Sequence, residues 1–141
     1  STKKILIVDD EENIRRIFKK ALERKNYIVH TTPNAEDAIH KIKNHEYFLV
    51  FSDIFMDGIS GLDLLKETRE VAPQVKVVIM TAQDTMNNTI EAMQMGAYGY
   101  VLKPVFPPEL PLVVSRALRG KQLSLENEYL RQLLANPSDS R

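Results

Sequence analysis

The chain has 141 residues, near the commonest domain size, with 19 basic and 19 acidic side chains. This balance excludes a net field that attracts nucleic acid or an anionic membrane surface, and the lack of cysteine excludes disulfides, thiol nucleophiles and thiolate zinc sites. There is no apolar run of about 20 residues and no signal-peptide pattern, so we expect a cytoplasmic protein without membrane association.

Apolar runs of strand length alternate with stretches of helical period along the chain. The predicted strands are Ile5 to Val8, Tyr27 to Thr31, Phe48 to Asp53, Val75 to Met80 and Gly99 to Leu102. The helical stripes span 14–22, 35–42, 62–68, 86–93 and 110–118. This alternation predicts an α/β fold in which a doubly wound, five-stranded parallel sheet carries helices on both faces. A single-domain sheet of this kind commonly has the strand order 2-1-3-4-5.

Local signals predict where several helices begin. Asn13 is the expected cap of the first helix, and Thr32-Pro33-Asn34 has the residues of a second helix start. The fourth helix contains poor helix formers at 87–89, so we expect a mobile element there. Pro111 must lie in the first turn of the fifth helix, because a proline further along would break a hydrogen bond.

The last twenty residues have a different pattern from the domain predicted over 3–120. Leu123, Asn127, Leu130 and Leu134 have the spacing of heptad core positions. This spacing predicts a helical extension over 121–136, which is either a coiled-coil dimer seam or a solvated helix. Residues 137–141 are rich in small and polar side chains, and we expect them to be disordered.

Two predicted strands end on acidic residues. The first runs into Asp9 and Asp10, and the third stops at Asp53. In the order 2-1-3-4-5 these strands are neighbours, so their carboxyl ends should bring the three acids together. Carboxylates about 4 to 6 Å apart repel by roughly 3 to 4 kcal/mol per pair at an effective dielectric near 20. The cluster must therefore protonate or hold a cation, and its oxygen ligands favour Mg²⁺.

Two further polar residues end the remaining strands. Thr81 follows the fourth strand and Lys103 follows the fifth. A metal ion, an ammonium and a hydroxyl facing one carboxylate can together neutralise and orient the oxygens of a phosphoryl group. The carboxylate itself can act as the acceptor.

This pattern resembles the receiver domain of two-component response regulators, which has a flavodoxin-like fold. The resemblance covers residues 3–120. It rests on the order, spacing and strand-end positions of Asp9-Asp10, Asp53, Thr81-Ala82, Tyr100 and Lys103-Pro104. The runs Glu91-Ala92-Met93 and Gly96-Ala97-Tyr98 and the tail from Leu125 to Leu130 are similar to receivers of the nitrogen-regulation type. Receivers of that type precede an ATPase domain that acts with the alternative sigma factor, sigma-54.

The resemblance implies a phosphoacceptor site with a bound metal ion. Asp53 would accept a phosphoryl group from a histidine kinase. Mg²⁺ would be bound directly by Asp10, by Asp53 and by the backbone carbonyl of Phe55, whereas Asp9 would act mostly through water.

It also implies how the phosphoryl group is detected. Lys103 would contact the phosphoryl group, Thr81 would hydrogen-bond it, and the small Ala82 would leave the acceptor approachable. Pro104 would follow a cis peptide bond. Tyr100 would swing inward as Thr81 moves, and this movement would change the face made by the fourth helix, fifth strand and fifth helix.

The partners implied are a histidine kinase, a downstream ATPase and DNA-binding output domain, and a second copy of the chain. The homodimer would form through the fourth helix, fifth strand and fifth helix, together with the linker helix. We expect no direct contact of this chain with nucleic acid. The domain would be regulatory rather than enzymatic, with slow self-dephosphorylation.

Other functions remain as alternatives. A stand-alone receiver that relays phosphoryl groups has the same site. An aspartate-nucleophile phosphatase of the haloacid dehalogenase type requires Asp-x-Asp after its first strand, but Glu11 stands at the third position here. A flavin mononucleotide carrier needs a Ser/Thr/Gly-rich first loop, which this chain lacks.

Two further features have open or negative interpretations. Asp57 replaces the usual proline after the acceptor strand, and it is either a modulator of magnesium affinity or a solvated turn residue. The histidines, His30, His40 and His45, are dispersed along the chain, and we expect them to be surface side chains rather than metal ligands.

Overall fold

The computed structural model describes residues 4–56 and 60–119, except for the side chain of Gln83. The strands are β1 (Lys4–Val8), β2 (Ile28–Thr32), β3 (Leu49–Asp53), β4 (Lys76–Thr81) and β5 (Gly99–Leu102). The helices are α1 (Glu12–Glu23), α2 (Ala35–Asn44), α3 (Gly61–Val71), α4 (Met86–Gln94) and α5 (Glu109–Leu118). A short 3₁₀ helix, Gln83–Thr85, leads into α4.

The strands form one parallel sheet in the order β2-β1-β3-β4-β5. The predicted doubly wound α/β fold and its strand order are therefore confirmed. The order reverses between β1 and β3, so the carboxyl ends of these two strands flank the crevice in which such folds bind ligands. Both strands deliver acids to that crevice.

Alternate residues of each central strand face two separate hydrophobic cores. Leu6, Val50 and Ile79 pack on one face of the sheet with α2, α3 and α4. The opposite face, which includes Ile7 and Phe51, packs against α1 and α5. Burial on both faces explains why the strands read as continuous apolar runs rather than as alternating patterns.

Helix starts depend on contacts that the local sequence does not always determine. Asn34 caps α2, since its side-chain oxygen accepts the Asp37 N–H at 2.8 Å. The prediction that Asn13 caps α1 is wrong, because the cap residue is Glu11 and it makes no side-chain cap bond. Asn13 instead lies in the first turn of the helix. Pro111 is the third residue of α5, within its first turn as predicted.

Helix α4 has fewer stabilising end contacts than the other described α-helices. No side chain caps its start, and it has neither an acid in its first turn nor a base in its last. Helix α2, by contrast, has all three features. None of the described helices combines the length and the apolar character that a bilayer-spanning helix needs. The predicted extension over 121–136 and the tail over 137–141 lie outside the described residues, as does Asp57.

Candidate functional site

Three carboxylates meet at the carboxyl edge of the sheet. Asp9 follows β1 directly and Asp53 is the last residue of β3, and these strands are hydrogen-bonded neighbours. One oxygen from each of Asp9, Asp10 and Asp53 lies within 4.8 Å of the others. Asp9 is fully buried, Asp53 is partly buried and Asp10 is exposed. The structure therefore brings together the acids that the strand ends predicted.

Lys103 brings a positive charge to the same place. Its Nζ atom lies 3.1 Å from Oδ2 of Asp9 and 3.1 Å from Oδ2 of Asp53. Its backbone N–H donates to the Thr81 carbonyl at 2.6 Å, which fixes the end of β5 against the end of β4. One ammonium facing three carboxylates leaves two formal negative charges uncompensated. The site is therefore built to attract a cation.

The electrostatics of the site depend on burial and on this imbalance of charge. Burial is the main cause that raises the pKa of the Asp53 carboxyl above its ordinary value; Lys103 opposes the shift, and the charges of Asp9 and Asp10 add to it. Burial alone would lower the pKa of the Lys103 ammonium, but the ion pairs with Asp53 and Asp9 raise it above its ordinary value. Lys103 therefore stays charged at neutral pH.

Backbone contacts fix the orientation of the buried acid. Oδ1 of Asp9 accepts the Glu11 N–H at 2.9 Å, so Oδ2 is the oxygen that faces Lys103. The Arg15 guanidinium donates to the Asp9 carbonyl at 2.8 Å and ties the loop to the first helix. The carboxylate is consequently held in one orientation before any ligand arrives.

The end of β3 is pressed against the start of α3. The Gly61 N–H donates to the Ile54 carbonyl at 2.7 Å. A Cβ atom at Gly61 would lie only 2.2 Å from the Asp53 carbonyl oxygen. Only glycine fits this approach, and the close contact fixes the backbone that carries Asp53.

Thr81 lies at the same edge, but within the described part of the chain its hydroxyl bonds no carboxylate. In the register of the sheet Asp53 is paired with Met80, the residue before Thr81. The Thr81 hydroxyl is hydrogen-bonded to the hydroxyl of Thr85 and accepts the Thr89 hydroxyl at 2.8 Å. Sequence reasoning missed these partners, although the spacing of four residues between successive threonines is visible in the chain.

The other residues implied by the resemblance occupy three different environments. Ala82 is the cap residue of the 3₁₀ helix and is partly buried. The Lys103-Pro104 peptide bond is cis, as expected. Tyr100 is only 5% exposed and packs in the core that contacts α2, α3 and α4. In this conformation the Tyr100 ring already lies inside, and its expected movement with Thr81 stays a prediction.

Of the three histidines, His40 and His45 are exposed as expected and His30 is half-buried, but the fold brings two of the rings together. The rings of His30 and His45 lie 5.1 Å apart between centroids in a T-shaped arrangement. Nδ1 of His30 is hydrogen-bonded to the Tyr47 hydroxyl at 2.6 Å. The fold brings β2 against the segment that follows α2, and no local sequence signal indicates that contact.

The donor set fits a hard divalent cation. The three acids offer only oxygen atoms, and one of them is exposed, so a bound ion could retain water ligands. Mg²⁺ prefers this combination of a few carboxylates and several waters. Phe55 lies two residues after β3, in the loop at the same edge of the sheet.

This topology and its acidic edge define a doubly wound α/β protein with a cation-attracting site where the strand order reverses. The sequence profile described as the response regulator receiver domain matches residues 5–115. The chain belongs to this family, and it is a receiver domain of two-component response regulators.

Individual relatives agree with this assignment. Regulatory protein AtoC of Escherichia coli (strain K12) is 36% identical over 132 residues, which are 94% of this chain and 29% of AtoC. DNA-binding transcriptional regulator NtrC of Azospirillum brasilense is 34% identical over 116 residues, 82% of this chain and 24% of NtrC. The receiver domain of NtrX from Brucella abortus has a TM-score of 0.77 at 33% identity, covering 82% of this chain and 98% of that one.

The chain spans less than a third of the length of the two curated relatives, AtoC and NtrC. The predicted similarity to receivers of the nitrogen-regulation type is confirmed by the match to NtrC and to NtrX.

Proposed function

We propose that Asp53 is the residue that accepts a phosphoryl group from a histidine kinase. The observation that carries this proposal is the position of its carboxylate, at the strand end, 3.1 Å from the Lys103 ammonium and beside two further acids. An Asp53 oxygen would attack phosphorus while the bond from phosphorus to the donor's imidazole nitrogen breaks. The electron pair leaves with the imidazole, and the product on Asp53 is an acyl phosphate.

The neighbouring acids would hold Mg²⁺, with Asp10, Asp53 and the Phe55 carbonyl as direct ligands and Asp9 acting through water. When bound, the ion supplies positive charge that offsets the negative charge of the phosphoryl oxygens. Lys103 is already in contact with Asp53, so it would need only a small side-chain movement to contact a phosphoryl oxygen. Its charge and position are therefore preorganised for that role.

Thr81 and Ala82 complete the proposed phosphoryl site. Thr81 would turn its hydroxyl toward the phosphoryl group, and the small side chain of Ala82 would leave the approach open. The resulting change would be transmitted through Tyr100 and the cis bond before Pro104 to the face made by α4, β5 and α5. This face is the proposed surface of a homodimer.

The wider partners follow from the relatives. NtrC is a DNA-binding transcriptional regulator by name, and it is far longer than this chain. We infer that this receiver controls a downstream ATPase and DNA-binding output domain, and that it works in the cytoplasm as a regulatory domain with slow self-dephosphorylation. The length of these relatives favours control of an output domain over a stand-alone relay function. The family match favours a receiver over a phosphatase.

Intact mass measurement after incubation with Mg²⁺ and acetyl phosphate tests the acceptor. The wild type should gain the mass of one phosphoryl group, and Asp53→Asn should gain none. Asp37→Asn, on α2 and outside the acidic cluster, is the matched control and should be labelled like the wild type. Equal labelling of the wild type and Asp53→Asn would disprove the assignment. Sedimentation of the same samples tests the homodimer.

A further inference from the structure

Three threonines connect the end of β4 to the fourth helix. Thr81 is the last residue of β4, Thr85 ends the 3₁₀ helix, and Thr89 lies in α4. The Thr89 hydroxyl donates to the Thr81 hydroxyl at 2.8 Å, and the hydroxyls of Thr81 and Thr85 are hydrogen-bonded to each other. Thr85 in turn donates to the Ala82 carbonyl at 2.7 Å.

The direction of this chain follows from the number of protons available. Each hydroxyl has one proton to donate. The Thr85 proton is directed to the Ala82 carbonyl at 2.7 Å, whereas Thr81 lies 3.2 Å from the same carbonyl. The Thr81 proton is therefore directed to Thr85, and the Thr89 proton is directed to Thr81. In this arrangement the Thr81 proton is not available to a ligand at the acidic site.

Breaking the chain is unfavourable because its members are buried. Thr89 is fully buried and Thr81 is 1% exposed. If Thr81 turned away, the Thr89 hydroxyl would keep only the Thr85 carbonyl, at 3.3 Å in the preceding turn of the helix. A buried hydroxyl with a weaker partner loses part of the free energy of a hydrogen bond. Rotation of the Thr81 side chain toward the acidic site is therefore unfavourable, because it breaks the hydrogen bond from Thr89.

The start of α4 depends on the same contacts. No side chain caps this helix, and its cap residue is Thr85. The Thr85 hydroxyl and backbone N–H both bond the Ala82 carbonyl. A change at Thr81 therefore reaches the first turn of α4 through hydroxyl contacts as well as through the backbone.

We propose that Thr89 and Thr85 are positioning residues that hold the Thr81 hydroxyl away from the acidic site and so weaken phosphoryl binding. This inference rests on the proposed function, because it takes Thr81 as a ligand of the phosphoryl group. Removing the Thr89 hydroxyl frees Thr81 from one partner without changing any group that touches Mg²⁺ or the phosphoryl group. The substitution should consequently tighten phosphoryl binding.

Calorimetric titration with beryllofluoride, a stable mimic of a phosphoryl group, in saturating Mg²⁺ tests the proposal. Thr89→Val should bind about tenfold more tightly than the wild type, and Thr89→Ser, which keeps the hydroxyl, should bind like the wild type. The affinity for Mg²⁺ alone should stay within about twofold in both variants, because the Thr89 hydroxyl bonds Thr81 and Thr85 rather than an acid of the cluster. A general loosening of the fold would change both affinities.

Thr68→Val is the matched control. Thr68 is a buried threonine on α3, and its hydroxyl has no hydrogen-bond partner among residues 4–56 and 60–119. Its substitution makes the same chemical change in another helix, so it should leave the affinity for beryllofluoride unchanged. If Thr68→Val tightened binding as much as Thr89→Val, the threonine chain would not be the cause.

The remaining outcomes separate the two levels of the inference. If the wild type binds beryllofluoride and Asp53→Asn does not, but Thr89→Val binds no more tightly than the wild type, the positioning role is disproved and the phosphoacceptor stands. If the wild type shows no binding that depends on Asp53, both fail. Should Thr89→Val not fold, Thr85→Val decides: it removes the acceptor of the Thr81 proton and should tighten binding about threefold.

Discussion

The amino and carboxyl ends of the sheet differ in how their polar side chains are balanced. At the amino end, Lys76 donates to the Ala117 carbonyl at 2.6 Å, and Arg69 donates to the Pro73 carbonyl at 2.7 Å. At the carboxyl end, one ammonium faces three carboxylates. These two cations at the amino end are thus bonded to the chain's own carbonyl groups, whereas the carboxyl end keeps an excess of negative charge. The difference distinguishes polar groups that are paired within the fold from a cluster whose charges are not balanced.

The largest expected effect comes from disturbing the close contact between the end of β3 and the start of α3, at the carboxyl end of the sheet. Gly61→Ala places a Cβ atom 2.2 Å from the Asp53 carbonyl oxygen, a backbone atom that cannot move aside cheaply. The free energy of unfolding should fall by about 3 kcal/mol or more. Urea denaturation measures the change.

Gly96→Ala is the counterpart near the amino end. Its added Cβ would meet the flexible Arg69 side chain at 3.2 Å, and the strain comes from a φ of 103°. We expect a loss of about 1 to 2 kcal/mol. A larger loss for Gly96→Ala than for Gly61→Ala would contradict the comparison.

Magnesium should stabilise the protein through the acids at the carboxyl end of the sheet. At a concentration about one hundred times its dissociation constant, the ion should add about 2.7 kcal/mol to the free energy of unfolding. Thermal denaturation with and without Mg²⁺ measures this. Asp10→Asn should reduce the stabilisation sharply, and Tyr47→Phe, outside the acidic cluster, should preserve it. Similar stabilisation of Asp10→Asn and the wild type would argue against the ion site.

Lys76→Met should weaken the amino end by about 1 to 2 kcal/mol. The substitution removes the bond to the Ala117 carbonyl in the last turn of α5, and it removes the cation that lies 5.1 Å from the centre of the Tyr98 ring. Urea denaturation should detect the loss. Lys66→Met, on the exposed side of α3, is the control, and an equal loss there would indicate a general effect of charge.

The smallest expected effect is the pH dependence of the His30 contact. Burial lowers the pKa of the His30 imidazole below its ordinary value of 6.5, and positive charges add to this shift: His45, Lys4, Lys41 and Lys19. Burial also raises the pKa of Tyr47 to about 12, so its hydroxyl stays protonated. In the His30 tautomer that carries its proton on Nε2, this hydroxyl donates to Nδ1. Protonation of His30 would remove that acceptor.

The sign of the pH effect follows from the lowered pKa. The contribution of His30 to stability is fully present above pH 6.5 and is lost as the pH falls through the lower folded-state pKa. His30→Gln should therefore reduce the drop in melting temperature between about pH 7.5 and pH 5.5. His40→Gln, exposed on α2, is the control. An unchanged drop in His30→Gln would show that other groups cause it.

The strands and the acidic cluster could be predicted because they depend on local patterns. An apolar run that ends on Asp9 or Asp53 indicates both the buried strand and the position of the acid at its end. The strand order then brings the acids together without further information. Similarly, the proline at position 111 restricts where α5 can begin.

The remaining features depend on tertiary contacts. Asn13 has the chemistry of a helix cap, but the turn that follows Asp9 starts the helix earlier, at Glu12. Thr89 is a poor helix former by propensity, yet the fold buries it beside Thr81. The contact between His30 and His45 joins two segments that are distant in the chain. Propensity and spacing give no signal for contacts of this kind.

The bond from the Lys103 N–H to the Thr81 carbonyl couples the two groups that would face an incoming anion. A displacement of the main chain at one of them should affect the other through this 2.6 Å bond and through the pairing of Thr81 with Leu102. A variant designed to move only the Lys103 ammonium or only the Thr81 hydroxyl by shifting its backbone should therefore move both groups. A variant with altered anion selectivity at this edge should therefore change the length of a side chain and leave the main chain at both residues in place.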